Sequence, residues 1–365
     1  MKNIAVFFGG QSVEHDISVI TGVMTVNSLD KGKYAGIPIF ISDDGLWYTG
    51  RQLLDLDNYK NLDFKKLDRV MLLGGENSLY LTKGKKLKKI TEIAVAINCL
   101  HGERGEDGSL AGLLNMCNIP LASPPQAPSS ICIDKTLTKT VLKALKINTL
   151  DGVTVEGVED IDKVKKQINY PIIVKPNRLG SSIGVGIAEN DEQLLTAITY
   201  ALKFGKKALI EPCLENFVEI NCAVYQSQGE EIKVSECERP IGRTEILSFT
   251  DKYKNGKRIF PADIEKKLSD KIKNTSEKIY RALDFKGVIR IDFFVVDNKV
   301  LVNEINTVPG SLAYYLFSDT LKGFSKMLNQ LISVAEQDFA QNSTAQTKYA
   351  SGVLKMLGGK GNKHL

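Results

Sequence analysis

Two carboxylates, an amide and a guanidinium recur at alternate positions of two apolar runs, Arg290-Ile291-Asp292 and Asn303-Glu304-Ile305-Asn306. Acidic groups inside an apolar strand are costly unless they are paired or bound to a cation. Side chains alternate across a strand, so Arg290 and Asp292 share one face, and Glu304 and Asn306 share one face of the next. If a three-residue turn, Asp297-Asn298-Lys299, joins the strands, position 292 falls opposite 304 and 290 opposite 306. Hard oxygen ligands of this kind suit magnesium, which keeps waters and also binds substrate phosphates. The alternative is an internal Arg-Asp-Glu salt-bridge network that does no chemistry.

A second group is the loop Lys175-Pro176-Asn177-Arg178-Leu179-Gly180-Ser181-Ser182-Ile183-Gly184, which follows an apolar strand. Backbone amides and hydroxyls in such a loop approach phosphate oxygens, and the lysine adds a point charge. It is not a Walker A loop, because its lysine precedes the glycines and a strand follows. A plain strand-to-strand turn is the bland alternative. Lys135, after Asp134 on the preceding helix, is either a second phosphate-facing cation or a solvated helix charge.

A third group is Leu100-His101-Gly102-Glu103-Arg104-Gly105-Glu106-Asp107-Gly108, directly after an apolar run. His101 at a strand's carboxyl end favours substrate contact over a structural role. Glu14, in Gly9-Gly10-Gln11-Ser12-Val13-Glu14, falls at the start of a helix, where the dipole favours a carboxylate. It either caps that helix or holds an ammonium group.

The elements that must position these residues alternate. Ile4 to Phe8 reads as a buried strand entering Gly9-Gly10, and Ile17, Ile20, Val23 and Met24 follow with helical spacing. Strand candidates at 37–41 and 93–97, with a helix over 110–116, predict a mainly parallel sheet. In such a sheet ligands collect beyond the carboxyl ends of the strands, where Gly9-Gly10 and the His101 loop both lie. Ala122-Ser123-Pro124-Pro125-Gln126 breaks the pattern and predicts a boundary, followed by one helix from about 130 to 145. Next come a strand at 172–175, the serine-glycine loop, another strand and a helix over 191–204. The remainder predicts strands at 218–225 and 232–236, a polar loop over 239–262, a long helix, and strands at 288–296 and 300–306. The expected division is 1–123, 124–210 and 211–337, with a polar tail over 338–365.

The chain has 365 residues, 43% hydrophobic and 25% charged, which is globular composition and long for a single core. A net charge of +5, from 48 basic and 43 acidic residues, is too thinly spread to argue for nucleic acid or membrane binding. The six cysteines lie mostly in apolar runs without a C-x-x-C pair, as buried thiols of a reducing compartment do. No run has the pattern of a signal peptide or transmembrane segment, so a cytoplasmic protein is expected.

Taken together, these motifs resemble the D-alanine-D-alanine ligase family of the ATP-grasp superfamily, in the family's order from residue 4 to about 316. The resemblance implies an α/β, three-domain ATP-grasp architecture, with a Rossmann-like parallel-sheet amino-terminal domain and two α+β domains enclosing ATP. It implies that Lys135, Lys175, Ser181, Ser182, Glu211, Leu214 and Glu219 bind ATP, with Glu211 on the adenine side and Glu219 near the ribose. Asp292, Glu304 and Asn306 would hold two magnesium ions, or manganese in their place. Glu14 and His101 would meet the substrate, and the small-molecule substrates would be D-alanine and ATP. Ser181 would join Glu14 and a loop tyrosine, Tyr253, in one hydrogen-bond network. Arg290 and the backbone amide of Gly310 would stabilise the tetrahedral oxyanion. A homodimer is implied as well.

One departure follows Pro309-Gly310. Where the family has a serine five residues past the glycine, near the second substrate's carboxylate, this chain has Tyr315, within Ser311-Leu312-Ala313-Tyr314-Tyr315-Leu316. The acceptor pocket, expected around Ser311, Tyr315 and Leu316, is therefore reshaped. Rival readings are a ligase joining D-alanine to D-serine, D-lactate or another acceptor, and a nucleotide-binding sensor without turnover.

Overall fold

The computed structural model describes residues 1–241 and 257–346. The first apolar run is β1 (Lys2–Gly9), with Ile4 to Phe8 fully buried. Alternation divides these side chains between two cores. Ile4, Val6 and Phe8 pack with Val19, Val23 and Val26 of α1 (His15–Ser28). Ala5 and Phe7 face the other side. β1 lies parallel to β2 (Tyr34–Ile41), and β3 (Trp47–Thr49), β4 (Asp68–Leu72), β5 (Ser78–Lys83) and β6 (Lys86–Glu92) extend the sheet antiparallel. β7 (Val95–Asn98) joins β1 on its other edge, in parallel, and α2 (Ser109–Met116) covers Ala5 and Phe7 with Leu110 and Leu114.

The expected mainly parallel sheet is thus corrected: only β2, β1 and β7 run parallel within the order β6-β5-β4-β3-β2-β1-β7. β6 escaped the reading because its Lys-Leu-Lys-Lys-Ile-Thr-Glu is exposed along most of its length and holds no apolar run.

The single helix expected over 130–145 is two, α3 (Gln126–Cys132) and α4 (Lys135–Ala144). Asp134 separates them in an extended conformation, and its side chain accepts from Leu137 N, which starts the second helix afresh. The central sheet follows, from β8 (Val153–Val155), α5 (Ile161–Lys165), β9 (Ile172–Pro176), β10 (Gly186–Ala188), α6 (Asp191–Ala201) and β11 (Ala208–Pro212). Its order is β10-β9-β11-β8, every pair antiparallel. The expected division at residue 211 falls inside β11, which pairs within this sheet.

The last sheet comprises β12 (Val218–Gln226), β13 (Ile232–Val234), and, after the ribbon β14 (Arg239–Pro240) with β15 (Arg258–Ile259) and the helix α7 (Lys266–Ala282), β16 (Val288–Val296) and β17 (Lys299–Asn306). Its order is β13-β12-β16-β17. Finally α8 (Leu321–Ser343) returns to the first core, burying Phe324, Leu328, Leu331 and Ile332 there. The expected tail from 338 is corrected in part: α8 runs on to Ser343, with Asp338 and Phe339 half-buried and residues 340–343 exposed.

Candidate active site

β16 and β17 build the floor of a cleft. Their core face carries Ile289, Ile291, Phe293 and Val295 against Val300, Val302 and Ile305. Arg290, Asp292, Glu304 and Asn306 therefore face away from that core, into the cleft. Arg290 pairs with Asn306 and Asp292 with Glu304. The route to this register corrects the expected three-residue turn. Val296 pairs directly with Lys299, so Asp297 and Asn298 alone make the turn, both with positive φ (47° and 59°). A β-bulge between Asp292 and Phe293 then shifts the pairing by one, from Phe293↔Val302 to Asp292↔Glu304. Asn303, at the bulge, accepts from Lys175 Nζ of the central sheet at 3.4 Å.

Arg290 grips Asp292 bidentately, Nε to Oδ1 at 2.7 Å and Nη2 to Oδ2 at 2.8 Å, and Asn306 Nδ2 donates to Oδ2 at 3.1 Å. Burial disfavours the Arg290 cation, but Asp292 beside it raises its hold on the proton. Among the described residues no three His, Cys, Asp or Glu side chains gather as a metal cage. The set here is two carboxylates and an amide, all hard donors, and the Asp292 oxygens keep lone pairs beyond those spent on Arg290 and Asn306. That chemistry fits magnesium.

Glu14 precedes α1 without capping it: no side-chain cap bond forms. Its buried carboxylate instead accepts a hydrogen bond from the Ser181 hydroxyl. Ser181 and Ser182 both take positive φ (54° and 57°), a costly conformation for non-glycine residues. Gly102 (φ +75°) lets the His101 loop approach Glu14, since a Cβ there would lie 2.4 Å from Ser12 Oγ and 3.3 Å from Glu14 Oε2. Glu106 also enters the cleft, accepting from Gly102 N at 3.0 Å and Val308 N at 3.3 Å. Burial first, and then the charge of Glu14, push its carboxyl up to about 8.

His101 is buried, with Nε2 3.1 Å from Thr21 Oγ1, which in turn accepts from Ser311 N at 3.1 Å. Burial, reinforced by Arg290, lowers its imidazole to about 4. The unfolded histidine, near its ordinary ~6.5, binds a proton that the folded one refuses. Its share of stability is thus present above pH ~6.5 and lost as pH falls toward about 4. His101→Gln is expected to flatten the fall in melting temperature between those values. An acid profile identical to wild type would rule that contribution out.

Behind the serine loop, Lys175 Nζ lies 2.5 Å from Glu211 Oε2, while Lys139 pairs with Oε1. Burial opposes a charge on Glu211, but Lys175 and Lys139 outweigh it and hold the carboxyl below its ordinary value. Lys135 Nζ donates to the Leu179 carbonyl at 2.6 Å, and burial lowers its hold on the proton. Leu214 and Glu219, both half-buried, lie on the loop after β11 and at the start of β12. Tyr253 lies outside the described residues.

At the far end of the cleft, Gly310 leads into Ser311, Leu312 and Ala313, all left-handed (φ 55°, 49° and 50°). Leu312, Ala313 and Leu316 bury their side chains in the first core, while Ser311 and Tyr315 line the cleft. Tyr315 lies against Arg290, and burial raises its phenol although Arg290 opposes this.

Models of the D-ala D-ala ligase N-terminus and C-terminus match residues 3–124 and 141–334. The chain belongs to the D-alanine–D-alanine ligase family. It is 37% identical to the D-alanine–D-alanine ligase of Thermosipho melanesiensis, over 99% of this chain and 100% of that one. The solved D-alanine-D-alanine ligase from Coxiella burnetii superposes with a TM-score of 0.80 at 26% identity, covering 94% of this chain and 96% of the other. The VanG D-Ala:D-Ser ligase from Enterococcus faecalis gives 0.79 at 26% identity, covering 92% and 99%. The three larger sheets form the ATP-grasp α/β architecture of these ligases. Among the described residues no helix is long and apolar enough to cross a membrane.

Strand alternation led to Arg290, Asp292, Glu304 and Asn306, and the glycine-bearing loops to Glu14 and Ser181, and one cleft brings all six together. Sequence reasoning missed Lys139, which shares the helical face of Lys135 one turn on, a spacing that could have drawn attention to it. It also missed Thr21, Asn221, Glu238 and Arg258. None of these four sits in a motif, and only tertiary contact reveals them.

Proposed function

We propose that the protein is an ATP-dependent ligase that activates D-alanine as D-alanyl phosphate and transfers the D-alanyl group to the amine of a second D-alanine. What supports this most is one observation: a cleft of about 370 Å³ sets Glu14, tied to Ser181, opposite Arg290, Asp292, Glu304 and Asn306.

In this reading Glu14 holds the ammonium of the first D-alanine. One oxygen of that D-alanine's own carboxylate attacks the γ-phosphorus as the bond to ADP breaks, giving D-alanyl phosphate and ADP. Lys135, Lys175, Ser181 and Ser182 hold the phosphates, and Glu211, Leu214 and Glu219 surround the adenosine. Asp292, Glu304 and Asn306 would hold two magnesium ions, which when bound neutralise phosphoryl oxygens. The second D-alanine's ammonium gives a proton to solvent, and the free amine attacks the acyl carbon. Arg290 and the Gly310 amide stabilise the oxyanion until the bond to phosphate breaks, releasing phosphate and dipeptide. The dipeptide would serve peptidoglycan precursor synthesis in the cytoplasm.

The test is phosphate release with ATP and magnesium, products identified by mass, for D-alanine alone and paired with D-serine, D-lactate or L-alanine. D-alanine alone is expected to yield D-alanyl-D-alanine. Release only with another acceptor would move the assignment to that acceptor, the reading that Tyr315 and the likeness to a D-Ala:D-Ser ligase favour next. No release with any pair would overturn ligation.

A further inference from the structure

Any amino acid entering as second substrate brings a carboxylate, and the cleft must meet it with a cation. Arg290 is poorly placed to do so, because Nε and Nη2, the edge that grips a carboxylate, are already engaged by Asp292. The family's serine is Tyr315 here. Beside that tyrosine stands Arg258, at the start of β15.

Its guanidinium carbon lies 5.0 Å from the Tyr315 ring centre and 5.2 Å from that of Phe260. Such stacking favours a planar cation and fixes its plane. Nη1 donates to Glu238 Oε1 at 3.2 Å and to the Tyr315 carbonyl at 3.4 Å. Glu238 is buried and firmly set: Asn221 Nδ2 donates to its Oε2 at 3.1 Å, and the two backbones exchange hydrogen bonds at 2.8 and 2.9 Å. Among the described residues only Nη1 of Arg258 is engaged, which leaves Nε and Nη2 as a pair of donors for an anion.

A second observation points to a ligand in the same place. Asn221 is 3% exposed, lines this cleft, and among the described residues its Oδ1 has no hydrogen-bond partner. A buried acceptor of this kind is costly unless something donates to it, and the second substrate's amine is a donor. Lys257 also borders the cleft, but it is exposed, and among the described residues no side-chain hydrogen bond or ion pair fixes it.

We propose that Arg258, aligned by Glu238 and stacked on Tyr315, is the residue that binds the carboxylate of the second, amine-bearing substrate. This rests on the ligase reading above. Arg258 supplies the cation that this carboxylate needs, and the Tyr315 ring is its platform.

The experiment uses D-alaninamide, which has no carboxylate to phosphorylate and so can act only as acceptor. The full chain, Arg258→Ala, Arg258→Lys and Lys257→Ala are assayed with ATP, magnesium and D-alanine, with and without D-alaninamide, and dipeptide and dipeptide amide are separated by mass. Wild type is expected to prefer D-alanine as acceptor. In Arg258→Ala, acceptor kcat/KM for D-alanine should fall by about tenfold or more, the usual consequence of losing a charged hydrogen bond, while that for D-alaninamide and the ATP KM hold. The preference thereby collapses. Arg258→Lys, which keeps the charge without the fork, should fall between. A retained preference in Arg258→Ala, or a collapse in Lys257→Ala instead, overturns the assignment while leaving the ligase intact. A wild type that makes no dipeptide from D-alanine overturns the ligase reading itself.

Discussion

Asparagine at position 292 is expected to lower phosphate release by about 10³-fold, some 4 kcal/mol of barrier, with a much smaller change in the ATP KM. The same substitution should also lower the melting temperature, because Asp292 is buried and both its oxygens bind Arg290. Breaking one side of a buried pair strands the other charge and costs about 3–5 kcal/mol. Loss of activity alone therefore does not separate a chemical role from a structural one. The double substitution Arg290→Met with Asp292→Leu does. Removing both charges for apolar groups of similar volume is close to neutral for stability, so the melting temperature should recover while turnover does not. Recovery of turnover with stability would leave Arg290, Asp292, Glu304 and Asn306 as a salt-bridge network and no more.

That cluster was legible in the sequence because strand alternation is a strict rule, and it survived an error in the turn. Two residues, Asp297 and Asn298, suffice to join β16 and β17, since both adopt left-handed conformations. Without correction, the two-residue turn would have displaced the pairing by one. The bulge restores it, and the sign was present: the core-facing residues run Val300, Val302, Ile305, a step of three where a regular strand steps by two. The antiparallel half of the first sheet was harder to read. Its strands are short or solvent-facing, and exposed β6 offers no apolar pattern at all. Arg258 was illegible for another reason. Its place depends on Glu238, 20 residues away, and on Tyr315, 57 residues away, and no local pattern encodes such a contact.

Glu14 is the other residue whose loss should be severe. Replacing it with glutamine is expected to raise the D-alanine KM by about 10²-fold or more, the usual scale for deleting one side of a buried ionic contact, while the ATP KM stays near wild type. The position accounts for the size. Glu14 is 6% exposed at the mouth of α1, and the Ser181 hydroxyl, from the loop between β9 and β10, orients one of its oxygens. Ser181→Ala should therefore act on the same quantity by a smaller factor, about tenfold, because it loosens the carboxylate without removing it. The two effects should not add: once the charge is gone, the serine has nothing left to orient, so Glu14→Gln with Ser181→Ala should match Glu14→Gln alone. Additive effects on the D-alanine KM would mean that Ser181 meets D-alanine independently of Glu14. The helix offers the remaining control. With no cap bond from the Glu14 side chain to α1, the melting temperature should barely move, whereas a loss of stability with the D-alanine KM unchanged would return Glu14 to the role of a helix cap.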